Sequence, residues 1–487
     1  MLHCPVVGKN VFYKAAVYEH AVIFPDKVAE SYEEAFIQMS ANLNIYKIQT
    51  DVAGQLDVDI IVFPENGIYG YKLNSPSDIE NYLEFIPDPS KVNWTPCIEP
   101  DRYKRTRVQA FLSCLAMNNS IYLVANYGDR QPCLSSDSNC PRNGYYQYNT
   151  NIVYNREGTL IARYHKQNLF LETQFQQPVN AETIFFETDF GRFGILTCFD
   201  ILFKSPVINL LEQVGVTDIV FTTAWMDALP FFTAIGYHSS FAHAYNVNFL
   251  SANLHNPSER IQGSGIYTPD GALSYYYDRS SQNGRLLVTH VPVISHERRV
   301  FTKFTINTTE IKFLRKQEFQ GRLFGDMYNF ISLRSKNEKV TICYEDFCCF
   351  LSYERYDIKG NYAFGVFSGI HTNNGPYFLQ VCILLKCVSE DNRSCGRYTH
   401  DADGNFQYFN MRGNFSTPYI TPQVVTCRNG TLELPPPFAL KFDANGLTGS
   451  STMSPLLETS LVGRIYDRDK GSNHVVADNP RIVQTSW

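Results

Sequence analysis

The sequence predicts an α/β layered domain followed by a second domain that is β-rich and carries most of the cysteines. Three observations lead there. Short apolar runs alternate with helix-length segments from residue 12 to about 290, the pattern of buried strands covered by helices. From about residue 315 that alternation gives way to short aromatic and β-branched runs with Gly and Pro. Seven of the thirteen cysteines fall after residue 340. A chain of 487 residues is too long for one hydrophobic core, so two or three domains are expected.

The elements follow in order. "YKAAVYEHAVI" reads as a first strand. Ser31 and Glu34 have the spacing of a capping box, and Phe36, Met39, Leu43 and Tyr46 then recur at helical spacing. "VDIIVFPE" is a buried strand ending at Glu65, and "SIYLVANYG" is another at 120–128. "TNIVYNREGTLIARYHK" is a hairpin about the turn Asn155–Gly158. "RFGILTCFD", "TDIVFTTAW" and "VNFLSANLH" are further buried strands with helix-length segments between them. The polar stretch "HERRVFTKFTINTTE" breaks the pattern. The predicted organisation is an N-terminal segment 1–11, a first domain 12–295, a linker 296–314, a β-rich domain 315–466 and a flexible tail 467–487.

Composition excludes several classes. A net charge of −6 offers nucleic acid no electrostatic attraction. No apolar run reaches the roughly 18 residues of a transmembrane helix. The chain has no CxxC, and its eleven histidines are scattered, so neither a metal site nor a thiol–disulfide oxidoreductase is indicated. Disulfides are the better reading of the cysteines, and they imply an oxidising compartment. Six N-x-S/T sequons, at Asn93, Asn118, Asn307, Asn392, Asn414 and Asn429, point the same way as candidate glycosylation sites. The first twenty residues lack a signal-peptide core and the last fourteen are too polar for a GPI signal, so the expectation is a secreted protein truncated or mis-started at its N-terminus.

In an α/β sheet, ligands bind beyond the carboxyl ends of the strands. Three predicted strand ends carry reactive groups: Glu65, Lys166 and Cys198. Alone, each has a plainer reading. A Cys ending a strand is more often a small buried hydrophobe, and a Glu or Lys there is usually a solvated terminus. Together they make a working set for acyl transfer from an amide. A thiol attacks a carbonyl as thiolate, a carboxylate accepts its proton and later activates water, and an ammonium stabilises the oxyanion. The backbone N–H of Phe199, following the thiol, is a second oxyanion donor. Asp200 is expected to pin the turn after the thiol.

"FPENGIYG", "RYHKQNLF" and "GILTCFDILF" occur in the order and context of the nitrilase, or carbon–nitrogen hydrolase, superfamily. More narrowly, "AAVYEHAVI", "LTCFDILF", "TTAWMDALP" and "GSGIYTP" resemble the biotinidase/vanin (pantetheinase) family, and "CYEDFCCFLSYE", "YFLQVCILLKC" and "RGNFSTPYITP" extend the likeness into the second domain. The resemblance implies an αββα nitrilase-type sandwich followed by a base domain. It implies Glu65 as general base, Lys166 as oxyanion stabiliser and Cys198 as nucleophile, with no cofactor and no metal. Glu172 is expected to orient Lys166, and Trp225 to support the site. The implied reaction is hydrolysis of a linear vitamin amide through a thioester, in a secreted or membrane-anchored glycoprotein.

With Cys198 as a free nucleophile, twelve cysteines remain. Cys97 with Cys114 and Cys133 with Cys140 are candidate local pairs, six between 343 and 395 can form three bridges, and Cys4 and Cys427 are left over. Short matches such as "CIEPDRY" and "GVFSGIHT", and the length of "NLFLETQFQQP", lean toward biotin amides as substrate. Pantetheine is the alternative, and an inactive glycoprotein on the same fold is a third reading. Two departures from the family pattern are Asn66, where an Asp usually follows the catalytic Glu, and Gly236, where a Glu is expected near the substrate pocket.

Overall fold

A computed structural model describes residues 11–294, 318–373, 375–443, 446–450 and 454–469, together with the backbone of 481–485. The predicted linker, Cys4 and the Asn307 sequon lie outside the described residues. Among those described, the strands form four sheets.

The first sheet contains β1 (Phe12–Glu19), β2 (Ile60–Val62), β3 (Tyr122–Pro132), β4 (Tyr145–Tyr154), β5 (Leu160–His165) and, beside β1, β12 (Arg285–Pro292). The second contains β6 (Glu182–Glu187), β7 (Arg192–Thr197), β8 (Asp218–Thr223), β9 (Asn248–Asn253), β10 (Ser264–Thr268) and β11 (Gly271–Tyr276). β1, β2 and β3 run parallel, as do β7, β8 and β9.

Strand alternation explains the layering. Along β1, Tyr13, Ala15 and Val17 enter a core shared with Phe193, Ile195, Val220 and Leu250 of the second sheet, so the two sheets pack face to face. The intervening Ala16 and Tyr18 point outward into a core with Met39, Leu43 and Tyr46 of α1 (Tyr32–Gln55). Each such large apolar side chain contributes roughly 1.5–3 kcal/mol on burial. After α2 (Pro76–Ile79), α3 (Arg107–Asn119) packs beside α1 on the same layer. α4 (Lys204–Ile208) and α5 (Ala234–Tyr245) cover the outer face of the second sheet. The order helix–sheet–sheet–helix is the αββα sandwich.

Local expectations are met with one correction. The hairpin β4–β5 forms, and Gly158 closes its turn at φ +75°, where a Cβ would stand 2.6 Å from the Ser113 carbonyl oxygen. The capping box is only half built. Ser31 Oγ accepts from the Glu34 N–H, but the Glu34 carboxylate accepts from the Glu30 N–H and pairs with Lys27 instead of returning to the cap residue.

The second region begins with β13 (Glu318–Leu323), β14 (Asp326–Leu333), β15 (Asn337–Tyr344), β16 (Phe347–Arg355), β17 (Tyr362–His371) and β18 (Tyr377–Lys386). It continues with β19 (Phe406–Gly413), β20 (Ile420–Arg428), β21 (Thr431–Glu433), β22 (Leu440–Asp443), β23 (Gly446–Ser450) and β24 (Leu456–Arg464). Two sheets result, ordered β13-β14-β17-β18-β24-β20-β21 and β15-β16-β19-β23-β22. The seven-stranded sheet presents Tyr328, Phe330, Val381 and Ile383 to the α5 layer, making one continuous core with the αββα sandwich. Within the stretch expected to be a flexible tail, β25 (Arg481–Thr485) pairs parallel to β6.

Among the described residues five disulfides are present: Cys97–Cys114, Cys133–Cys140, Cys343–Cys348, Cys349–Cys382 and Cys387–Cys395. Cys198 and Cys427 form no bridge among these residues.

Candidate active site

Glu65, Lys166 and Cys198 follow the ends of β2, β5 and β7. These strands belong to two different sheets, and the sandwich brings their ends to one buried place. Lys166 Nζ donates to Glu65 Oε1 at 2.7 Å and to Glu172 Oε2 at 2.5 Å. Glu172 thus meets Lys166 directly. The Lys166 side chain is 1% exposed and that of Glu65 2%, so this array is screened little by solvent.

Burial governs the protonation states. It pulls the Lys166 ammonium down, but Glu172 and Glu65 outweigh it and hold the amine charged, well above its ordinary value. Burial raises Glu65; Lys166 opposes the rise and Glu172 adds to it, leaving the carboxyl above its usual range. Burial and the Glu65 charge push the Cys198 thiol up, against the pull of Lys166. Cys198 therefore rests as a thiol beside a carboxylate with raised basicity, an arrangement suited to proton transfer as the sulfur attacks.

The turn at the thiol is specific. Cys198 has φ +44°, a left-handed conformation that side chains rarely adopt, and it opens a 3₁₀ turn Cys198–Leu202. Thr197 caps this turn through a full capping box with Asp200. Asp200 accepts from the Tyr164 hydroxyl at 2.7 Å and from the Asn168 N–H and Nδ2, both at 2.8 Å. It pins the turn to the loop after Lys166. Burial, partly offset by these donors, raises its pKa to about 6.

Trp225 follows β8 and is buried; its Nε1 donates to the Phe232 carbonyl at 2.9 Å, and its ring stacks on Tyr237. Its neighbour Ala224 donates a backbone N–H to Glu65 Oε2 at 3.0 Å. Phe199 is buried, with Phe170, Phe203 and Tyr377 around its ring.

At Gly236 a Cβ would stand 2.5 Å from Thr233 Oγ1 and 2.6 Å from Val425 Cγ2 of β20, so the position is packed against the second region. Asn66 is buried at φ +55°, and its N–H donates to Asn126 Oδ1 at 2.9 Å.

Several site residues escaped the sequence reading. Asn149 Nδ2 donates to both Glu65 Oε1 and Glu172 Oε1, at 2.8 and 2.6 Å. The available signal was Asn149 and Asn151 two apart in an otherwise buried strand, hence on one face. Arg464 of β24 donates to the Leu202 carbonyl at 2.7 Å, so the second region holds the far end of the turn that begins at Cys198. No sequence pattern links residues so far apart.

Of the candidate glycosylation sites, Asn93, Asn118 and Asn429 are exposed, whereas Asn392 and Asn414 are half-buried. No cluster of His, Cys, Asp and Glu suited to a metal ion, and no helix long and apolar enough to cross a membrane, occurs among the described residues.

The fold and this buried carboxylate–ammonium–thiol set define a carbon–nitrogen hydrolase. A carbon-nitrogen hydrolase model matches residues 26–230, and a vanin C-terminal domain model matches 317–469. Pantetheinase of Mus musculus is 44% identical over 95% of this chain and 90% of its own. Pantetheinase of Homo sapiens is 42% identical over the same shares, and biotinidase of Homo sapiens is 39% identical over 94% of this chain and 90% of its own. The chain belongs to the vanin–biotinidase family of carbon–nitrogen hydrolases, and it is a hydrolase of non-peptide amide bonds.

Proposed function

We propose that this protein hydrolyses the amide of pantetheine, with Cys198 as nucleophile, Glu65 as general base and Lys166 as oxyanion stabiliser. The observation that carries the chemistry is Lys166 held between Glu65 and Glu172 beside a free thiol. As Cys198 Sγ bonds the carbonyl carbon, its proton passes to Glu65. The oxyanion is met by the Lys166 ammonium and the Phe199 N–H, one of the first-turn donors that have no acceptor inside their helix. Collapse breaks the C–N bond, and Glu65 returns the proton to the departing amine. Water then attacks the thioester, with Glu65 taking its proton; collapse breaks the C–S bond, Glu65 returns the proton to the Cys198 sulfur, and the acid leaves.

Identity favours pantetheine: pantetheinases match at 42–44%, biotinidases at 38–39%. A biotin amide such as biocytin is the second reading, supported by the length of the loop after Lys166. Purified protein offered pantetheine and biocytin side by side should release cysteamine faster than lysine, and Cys198→Ala should abolish both. Faster release of lysine reverses the substrate order; no turnover of either by enzyme with an intact thiol removes the vitamin-amide reading.

The same reading makes the chain a secreted glycoprotein. Its disulfides and the exposed Asn93, Asn118 and Asn429 support this. The division into a catalytic domain 12–295 and a base domain 315–466 is supported by the two family matches.

A further inference from the structure

A run of buried amides crosses the sandwich behind the site. Asn126 on β3 and Asn149 and Asn151 on β4 are each at most 1% exposed. Asn126 Nδ2 donates to Asn149 Oδ1 at 2.6 Å and to Asn151 Oδ1 at 2.9 Å. Asn149 then spends both its N–H bonds on Glu65 and Glu172. Asn151 Nδ2 donates to Thr197 Oγ1 at 2.9 Å, the residue before Cys198, and Asn151 Oδ1 also accepts from Thr222 Oγ1 at 2.8 Å.

The direction of every amide is set by one unambiguous donor. The Asn66 backbone N–H meets Asn126 Oδ1 and can only donate, so Asn126 must turn Nδ2 toward its two neighbours. They in turn must face it with their oxygens, which aims one Nδ2 at the carboxylates and the other at the nucleophile turn. Reversing any member leaves buried polar atoms unpaired, costing about 1–3 kcal/mol each. The network spans strands of both sheets, whose relative placement determines the distance from Glu65 to Cys198.

We propose that Asn126 is a positioning residue that sets Glu65 and Cys198 in register across the two sheets, acting through Asn149 and Asn151. It touches neither substrate nor reacting atoms. The inference rests on the catalytic reading of Glu65 and Cys198 given above. The charged and titratable groups facing Glu65 are Lys166, Glu172, Cys198 and Tyr69. Asn126 leaves these in place and alters only the neutral donor that Asn149 offers.

Asn126→Leu adds no charge and is of similar size, but it removes the donor to both amide oxygens. Cys198 alkylation by iodoacetamide, followed by peptide mapping across pH, reads the thiol and its base without any substrate. Relative to wild type, the half-maximum should move to higher pH, because Glu65 loses a donor to its ionised form. With the better substrate, kcat should fall about 100-fold, the scale of a small misplacement, while KM changes little. An unchanged half-maximum in a folded variant overturns the proposal. If Asn126→Leu does not fold, Thr222→Val removes only the donor to Asn151 and should lower kcat about tenfold, the worth of one hydrogen bond; an unchanged kcat overturns the proposal. Failure of wild type to turn over pantetheine or biocytin counts against the substrate reading alone, since the alkylation comparison does not use them.

Discussion

Lys166 Nζ lies 2.7 Å from Glu65 Oε1, an ion pair whose members come from strand ends a hundred residues apart. Neither group is solvated, so each depends on the other for its charged form. Lys166→Met removes the ammonium from the oxyanion and leaves Glu65 and Glu172 facing each other. Turnover should fall by about 10²–10³-fold, the usual loss for one oxyanion donor. The fold should survive, because the two carboxyls can share a proton. Circular dichroism with single-turnover kinetics checks both halves; a near-normal rate removes Lys166 from the oxyanion role.

In its proposed role as base Glu65 must be ionised, and burial has raised its pKa above the ordinary carboxylate range. Activity should therefore be present at higher pH and be lost as pH falls through that raised value. The acid limb of kcat/KM should lie above the pH at which a solvated Glu titrates, about 4.3. Glu172 contributes to the rise, so Glu172→Gln should move the limb to lower pH. A limb that stays fixed in this variant, or moves up, contradicts the assignment of Glu65.

Glu458 on β24 is fully buried, in register with Leu385 and Val425, and neither carboxyl oxygen meets a hydrogen-bond partner among the described residues. Burial raises its pKa to about 8, with Ser460 a minor opposing influence. A raised folded pKa favours the protonated form, so its contribution to stability is complete below the unfolded value near 4.3 and is lost as pH rises through about 8. Across that window stability should fall by a few kcal/mol. Glu458→Met should flatten this slope and raise Tm at pH above about 8. Melting curves across the window check it; parallel curves for the two proteins would contradict it.

Cys349 and Cys382 join the two sheets of the second region across 33 residues of chain. Opening a loop of that length releases about 4 kcal/mol of unfolded-state constraint. Cys349→Ala with Cys382→Ala should lower stability by that order in denaturant titration. The rate per folded molecule should change little, since neither residue reaches the catalytic array. A stability within 1 kcal/mol of wild type would mean that the bridge adds no net constraint.

The strand pattern was legible because a β-strand's side chains alternate and a buried strand reads as an apolar run. "VDIIVFPE", "ARYHK" and "GILTCFD" marked the three strand ends, and all three groups converge. Other details were not legible. Glu34 turned from its cap residue to Glu30 and Lys27, a choice between nearby partners that spacing cannot rank. Gly236 was singled out only as a departure from the family pattern, yet it is a contact point of α5 with β20. That contact joins residues nearly two hundred positions apart and depends on how the second region docks.

Local periodicity was enough to mark the alternation of buried strands and helices, and the residues at three strand ends marked the thiol, the carboxylate and the ammonium. The protonation states of that set, the direction of the Asn126–Asn149–Asn151 amides and the hold of Arg464 on the turn after Cys198 came only with the folded chain. Those depend on distance and desolvation between segments far apart in the chain, which arise only when two sheets and a second region close around the same few ångströms.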